Sequence, residues 1–240
     1  MMMRYVGMLV AASLWVAGLG LADGFDTGFE VTEVPALIAG DELHRAGGDP
    51  LRWNWAGNDV GTVSAKPDAV HQGSQGLDAT RRTTGDSQAW WTRPGIIPEL
   101  TGGTVSIRAA IQAVGWEDHP DSFLEIAASD IRLDDLGPNE TRSAWISLKG
   151  NGRLYAWDGG MERELAAELA VDQWVVVEVI IDVTARTYRV LLNDREVGTG
   201  MAYFGSGAGA VRSWQFKEYN RGKSSGGVYV DDVSVRWQNQ

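Results

Sequence analysis

From Thr27 to its C-terminal end the chain is written in short runs that alternate apolar with polar residues or string β-branched residues together, punctuated by Gly, Asn and Asp. A period of two is the signature of a strand with one buried face, and turn residues between such runs mark their ends. The runs are TGFEV (27–31), RWNWA (52–56), GLDAT (76–80), QAWWT (88–92) and TVSIRAAIQAV (104–114). SFLEIAA (122–128), AWISLK (144–149), RLYAW (153–157), WVVVEVIID (174–182) and TYRVLLN (187–193) follow, and VRSWQFKEY (211–219) and VYVDDVSVR (228–236) close the series. Lys149-Gly150-Asn151-Gly152 reads as a tight hairpin turn, and Asn193-Asp194 begins another. Only Glu162–Ala170 (ERELAAELA) suits a helix, and a short one is expected there. There is no repeat, low-complexity tract or linker, since Gly222–Gly227 is too short to separate domains. So many strands and so little helix predict two packed antiparallel sheets, an all-β sandwich.

The alternation also sorts residues by face. In 213–219, Trp214 and Phe216 share one face, and Ser213, Gln215, Lys217 and Tyr219 the other. In 122–128, Leu124, Ile126 and Ala128 oppose Phe123, Glu125 and Ala127. In 144–149, Ala144, Ile146 and Leu148 oppose Trp145, Ser147 and Lys149. Each pair has one apolar face and one mixing aromatic with polar groups, as a surface that grips a flat, hydroxylated ligand would.

The last run breaks its own rhythm. Val228 and Val230 set one parity, Val233 and Val235 the other, and Asp231 and Asp232 stand between them. No Gly, Pro or Asn interrupts the run, so the break predicts a β-bulge that adds a residue and re-aims a side chain.

Ahead of the strands, Met1–Gly7 carries Arg4, Met8–Leu21 is apolar, and Gly20-Leu21-Ala22 offers the small residues of a cleavage site. Residues 1–22 therefore read as a signal peptide, and 23–240 as one exported domain, secreted to an extracellular or periplasmic space. No later segment is long and apolar enough for a membrane span. Without a cysteine the exported chain has no disulfide, so its stability rests on core area and on any bound ion. A formal net charge of −11 repels nucleic acid and disfavours polyanionic glycans. Trp is frequent at 11 residues, all but one beyond the leader, which suits recognition of sugar rings.

Four stretches carry a resemblance. GFDTGFE (24–30), HQGSQGLDA (71–79), DQWVVVEVIIDVTARTYRVLLNDREV (172–197) and VYVDDVSV (228–235) resemble, in order, conserved segments of the concanavalin A-like lectins and glucanases, most nearly the laminin-G-like jelly rolls of exported bacterial proteins. The resemblance implies a jelly-roll sandwich whose concave sheet meets a polysaccharide or other glycan. It also implies a structural calcium ion (Ca2+): Asp231 matches the ligand of the closing VDxVxV stretch, Glu30 would come from the opening strand, and Gly73 or Ser74 would supply a carbonyl. Calcium takes six to eight oxygens in loose geometry, which a bulge and two strand ends can furnish. Simple solvation of the two acids at a bulged edge is the alternative.

Whether such a domain cleaves its glycan stays open. Glycosidases of this fold set acids as E-x-D-x-x-E on one strand, and retention needs two carboxyls roughly 5 Å apart. Here Glu125-Ile-Ala-Ala-Ser-Asp130 keeps the first acid, replaces the second with Ala127 and shortens the third. Jelly-roll lyases use Tyr with His while Arg or Gln neutralises the uronate carboxylate. Phe216-Lys217-Glu218-Tyr219-Asn220 is loosely similar to their Phe-Lys…Tyr strand, with Arg108, His119 and Gln215 as possible companions, although the spacing differs. His44, His71 and His119 lack metal-ligand spacing, and no nucleophile elbow, phosphate loop or basic stripe occurs. A binding module asks less: Trp145, Tyr219, Lys217, Gln215 and Glu125 form its expected ligand face, with one of Trp90 and Trp91 beside them. A structural or adhesive surface domain is the third possibility.

Overall fold

A computed structural model describes residues 23–29, 54–57, 62–80, 87–92, 98–114, 122–129, 141–149, 151–166, 169–170, 172–205, 209–220 and 227–239. The expected leader lies outside these residues. Their strands are β1 (Asp23–Thr27), β2 (Asn54–Gly57), β3 (Thr62–Ser64), β4 (Gly76–Thr80) and β5 (Ser87–Thr92). Next come β6 (Thr104–Ala113), β7 (Ser122–Ser129), β8 (Arg142–Lys149), β9 (Leu154–Asp158) and β10 (Met161–Ala166). The series ends with β11 (Trp174–Asp182), β12 (Thr187–Leu192), β13 (Arg195–Ala202), β14 (Ser213–Asn220) and β15 (Gly227–Gln238). β2, β5, β14 and most of β7 are described by backbone path and register.

The strands form two antiparallel sheets. The first runs β13-β12-β11-β6-β15-β4-β3, with β1 also paired to β15, and the second runs β10-β9-β8-β7-β14-β5-β2. Between them lies one core in which the alternation is explicit: Val177, Val179 and Ile181 of β11 are buried, as are Ala144, Ile146 and Leu148 of β8. Burying each large aliphatic side chain contributes roughly 1.5–3 kcal/mol against the entropy of ordering the chain.

The expected turns are present. Gly152 N–H donates to Lys149 O at 2.9 Å, closing the β8–β9 hairpin. Asn193 and Asp194 take φ of 49° and 63°, the left-handed pair of a hairpin turn that Asn and Asp tolerate better than most residues. The helix expected over 162–170 is not formed. Met161–Ala166 is instead an edge strand paired to β9, because after a hairpin turn a neighbouring strand supplies backbone partners that outweigh helix propensity. β3 and β13 were not legible as strands, the latter because Gly198 and Gly200 interrupt its alternation.

The bulge in β15 is where the parity break puts it. Asp231 pairs with Ala110 but Ser234 with Arg108, one residue out of step, and Asp232 takes a φ of 48°. On the far side of β15 the partner changes there too, from β4 at 227–230 to β1 at 233–237.

Candidate ligand-binding face

On β8 the core-facing residues Ala144, Ile146 and Leu148 alternate with Trp145, Ser147 and Lys149, which therefore belong to the outer face of the second sheet. Register extends that face across the sheet. Trp90, Lys217, Glu125, Ser147, Tyr155 and Glu164 occupy one cross-strand row. The next row joins Gln215, Ala127 and Trp145. Tyr219, opposite Gln88, has the same strand parity as Lys217 and Gln215. Trp145, Tyr219, Lys217, Gln215 and Glu125 are thus placed on one face, as their alternation implies. Trp90 is opposite Lys217 and shares that face, whereas Trp91 is opposite Phe216 and does not.

At one end of this face stands an aromatic cluster. Trp145 and Trp157 stack with centroids 4.9 Å apart and planes 22° apart. Phe204 meets both edge-on, at 5.0 and 5.1 Å. The Arg142 guanidinium lies 3.9 Å from the Trp145 ring. Arg142 and Trp145, three residues apart, share a face because a bulge intervenes: Ser129 pairs with Arg142 and Ala128 with Ala144. Trp145 therefore already carries a guanidinium and an indole and serves as a wall of the face.

Beneath the cluster the β8–β9 ladder ends at Ile146–Ala156, and the Tyr188 hydroxyl, rising from β12, donates to the carbonyls of Trp145 (3.2 Å) and Trp157. Burial pushes that phenol well above its ordinary range, so it stays a donor. The indole N–H groups of Trp145 and Trp157 and the hydroxyls of Ser143 and Ser147 are buried with no hydrogen-bond partner among the described residues. Such groups are costly alone and are satisfied by water or by a bound ligand. Lys149, which lies 4.2 Å over the Tyr155 ring and pairs with Glu162 at 2.5 Å, edges the face.

Sequence reasoning missed Arg142, Tyr155, Trp157 and Phe204. A signal for Trp157 did exist: the Lys149–Gly152 turn fixes a hairpin register that sets Trp157 beside Trp145. Phe204 arrives from a loop and has no such signal.

The lyase grouping is corrected for Arg108. It stands on β6 in the other sheet, where its Nη1 donates to Glu178 (3.2 Å) and Asp194 (2.7 Å). Residues in different layers with outward-facing side chains cannot share a pocket. His119 and Asp130 lie outside the described residues.

Asp231 is fully buried. Its Oδ2 accepts the backbone N–H of His71 (2.8 Å) and Gln72 (3.1 Å), and its Oδ1 that of Asp232 (2.8 Å). Burial, opposed by those bonds, raises its pKa to about 6. Next to it, Asp232 Oδ2 and His71 Nδ1 are 2.6 Å apart. Gly73 (φ 77°) and Ser74 follow directly on the His71–Gln72 segment that Asp231 holds, while Glu30 lies outside the described residues. Backbone N–H groups thus converge on both Asp231 oxygens. No group of three His, Asp or Glu able to hold a metal occurs among the described residues. By themselves these residues do not make a calcium cage.

No protein-family model matches the sequence, and no curated protein matches it. Solved structures do share its architecture. Lectin II from Ulex europaeus is 8% identical, covering 92% of this chain and 100% of its own, with a TM-score of 0.59. Endo-β-1,4-glucuronan lyase from the fungus Trichoderma reesei is 15% identical over 89% of this chain and 95% of its own, with a TM-score of 0.55. The carbohydrate esterase vb_24B_21 of the Shiga toxin-encoding bacteriophage phi24B is 12% identical over 78% of this chain and 90% of its own, with a TM-score of 0.53. At these identities the likeness is one of fold, a concanavalin A-like jelly roll.

Proposed function

We propose that this chain is an exported glycan-binding protein that holds a polysaccharide across the outer face of its second sheet. The observation that carries the reading is the chemistry of that face. An aromatic wall (Trp145, Trp157) and buried donors without partners (both indole N–H groups, Ser147 Oγ) adjoin rows placing Gln215, Lys217 and Glu125 together. Aromatic edges meet sugar C–H groups, while amides, carboxylates and ammonium groups hydrogen-bond hydroxyls. Glycan-binding and glycan-processing proteins with this fold support the reading, as does the resemblance to laminin-G-like domains of exported bacterial proteins.

The test incubates the protein lacking residues 1–22 with neutral and uronate polysaccharides, reading bound fraction, reducing ends and unsaturated-uronate absorbance from the same tubes. Retention that falls at least tenfold in Lys217→Ala and Gln215→Ala, without cleavage, is the expected result. No retention on any polymer overturns it.

A second reading has one observation in its favour: Tyr219, Lys217, Gln215 and Glu125 share a face. In a uronate lyase Tyr219 would move the proton next to the sugar carboxylate, with Lys217 and Gln215 holding that carboxylate. Unsaturated product that vanishes in Tyr219→Phe would establish it.

The calcium expected at Asp231 belongs to the same proposal, and it would need Glu30 and the carbonyls of Gly73 and Ser74 to complete its shell. A melting temperature that drops in chelator, but not in Asp231→Asn, supports the ion. Equal melting temperatures in calcium and chelator remove it.

A further inference from the structure

The outer face of the first sheet carries a separate row of polar and aromatic residues. Register sets Thr62, Asp78, Tyr229, Gln112 and Trp174 side by side across β3, β4, β15, β6 and β11. Their chain neighbours Leu77, Ala79, Val228, Val230 and Ile111 fill the core, which fixes the row as outward. The loop that Asp231 holds brings His71 against it, its ring 5.2 Å from Trp174 and tilted 55°. That ring is fixed from its other side by Asp232, at 2.6 Å from Nδ1.

Gln112 is the informative member. It is 6% exposed, and its Oε1 is buried with no hydrogen-bond partner among the described residues. An amide oxygen in that condition lacks a donor, and a structure with so many other outward ion pairs has not supplied one. The charges nearby are mostly acidic. Burial is what chiefly raises the Tyr229 phenol; Asp78, Asp68 and Asp172 add to it electrostatically, and Lys66, which lowers it, is paired to Asp78 at 3.3 Å.

We propose that this row is a second glycan subsite, taking a neutral sugar ring, distinct from the face on the second sheet. Half-buried Trp174 offers ring surface to sugar C–H groups, and buried Tyr229 can contribute only its hydroxyl. Gln112 Oε1 accepts one hydroxyl proton and the half-buried Asp232 carboxylate another, so the ligand is a donor of hydrogen bonds. The surrounding acids repel a uronate or sulfated sugar. A chain engaged on both sheets gains avidity without new contacts at either.

The experiment follows the indole N–H signals by two-dimensional NMR of the intact domain, with Trp174 assigned from Trp174→Phe. The probes are cellohexaose, laminarihexaose and mannohexaose as neutral sugars and a glucuronic acid hexasaccharide as the anionic one. A saturable Trp174 shift with at least one neutral probe, and none with the anionic one, is expected. Gln112→Leu, which keeps the shape, then weakens that binding about tenfold, and Tyr229→Phe weakens it less. An unmoved Trp174 signal with all neutral probes at about 10 mM overturns the subsite, as does unchanged affinity in both variants. Shifts at Trp145 and Trp157 alone also overturn it while supporting the second-sheet face, so the two readings fail separately.

Discussion

Two of the bulges in this sandwich, one from each sheet, leave their surroundings in opposite conditions. In β15 the extra residue turns Asp231 inward, where its carboxylate meets the N–H groups of His71, Gln72 and Asp232. In β8 the extra residue brings Arg142 onto the outer face above Trp145, and Ser143 and Trp145 keep buried polar atoms with no partner among the described residues. The first bulge is closed: it ties a loop to the terminal strands in a chain that lacks cysteine. The second is open, and its unmet donors lie at the edge of the proposed ligand face. The same backbone device thus serves cohesion where the protein supplies every partner, and borders the proposed ligand face where it does not.

That contrast breaks first at Asp231. Asp231→Ala strips three backbone N–H groups of their acceptor and is expected to cost about 4 kcal/mol, read as a lower urea midpoint at unchanged slope. A loss under about 1 kcal/mol would mean that the carboxylate does not hold the bulge. Trp157→Ala comes next: removing half of the stacked pair should cost about 3 kcal/mol and abolish retention on the polysaccharide. Tyr188→Phe leaves the Trp145 and Trp157 carbonyls without their shared donor, at about 1.5 kcal/mol, with retention reduced because the Trp pair is no longer braced.

Ser143→Ala sharpens the comparison by its sign. Deleting a buried hydroxyl that has no partner should raise stability by up to about 1 kcal/mol, whereas deleting the polar group of the first bulge lowers it. Thermal denaturation of the two variants side by side decides this, and a clear loss in Ser143→Ala would show the second bulge to be as closed as the first. The smallest effect belongs to Arg189→Ser on the first sheet's outer face. Its Glu196 partner is 3.4 Å away and both are largely solvated, so the change should stay within about 0.5 kcal/mol.

Particular residues explain why one bulge was legible and the other was not. Val228, Val230, Val233 and Val235 announce a change of parity because each valine marks the buried side of a strand. Around the second bulge the sequence reads Thr141-Arg142-Ser143-Ala144, with no apolar pair before the break against which a shift would register. The ligand face was legible as far as single strands allow. Alternation within 144–149 and 213–219 grouped Trp145 apart from Ile146, and Lys217 apart from Phe216. It did not show that Trp145 would be stacked by Trp157 and Arg142.

By itself the sequence determined the class of fold, most strand positions, the hairpin turns at 149–152 and 193–194, and the β15 bulge, because these depend on period, parity and local turn chemistry. Only the tertiary structure decided the rest. It made 161–166 a strand, since an available neighbour supplies backbone partners that local propensity does not weigh. It put Arg108 in the other layer from Lys217, since sheet membership follows from pairing between strands far apart in the chain. And it turned Asp231 toward backbone N–H groups some 160 residues away, an encounter that no spacing along the chain encodes.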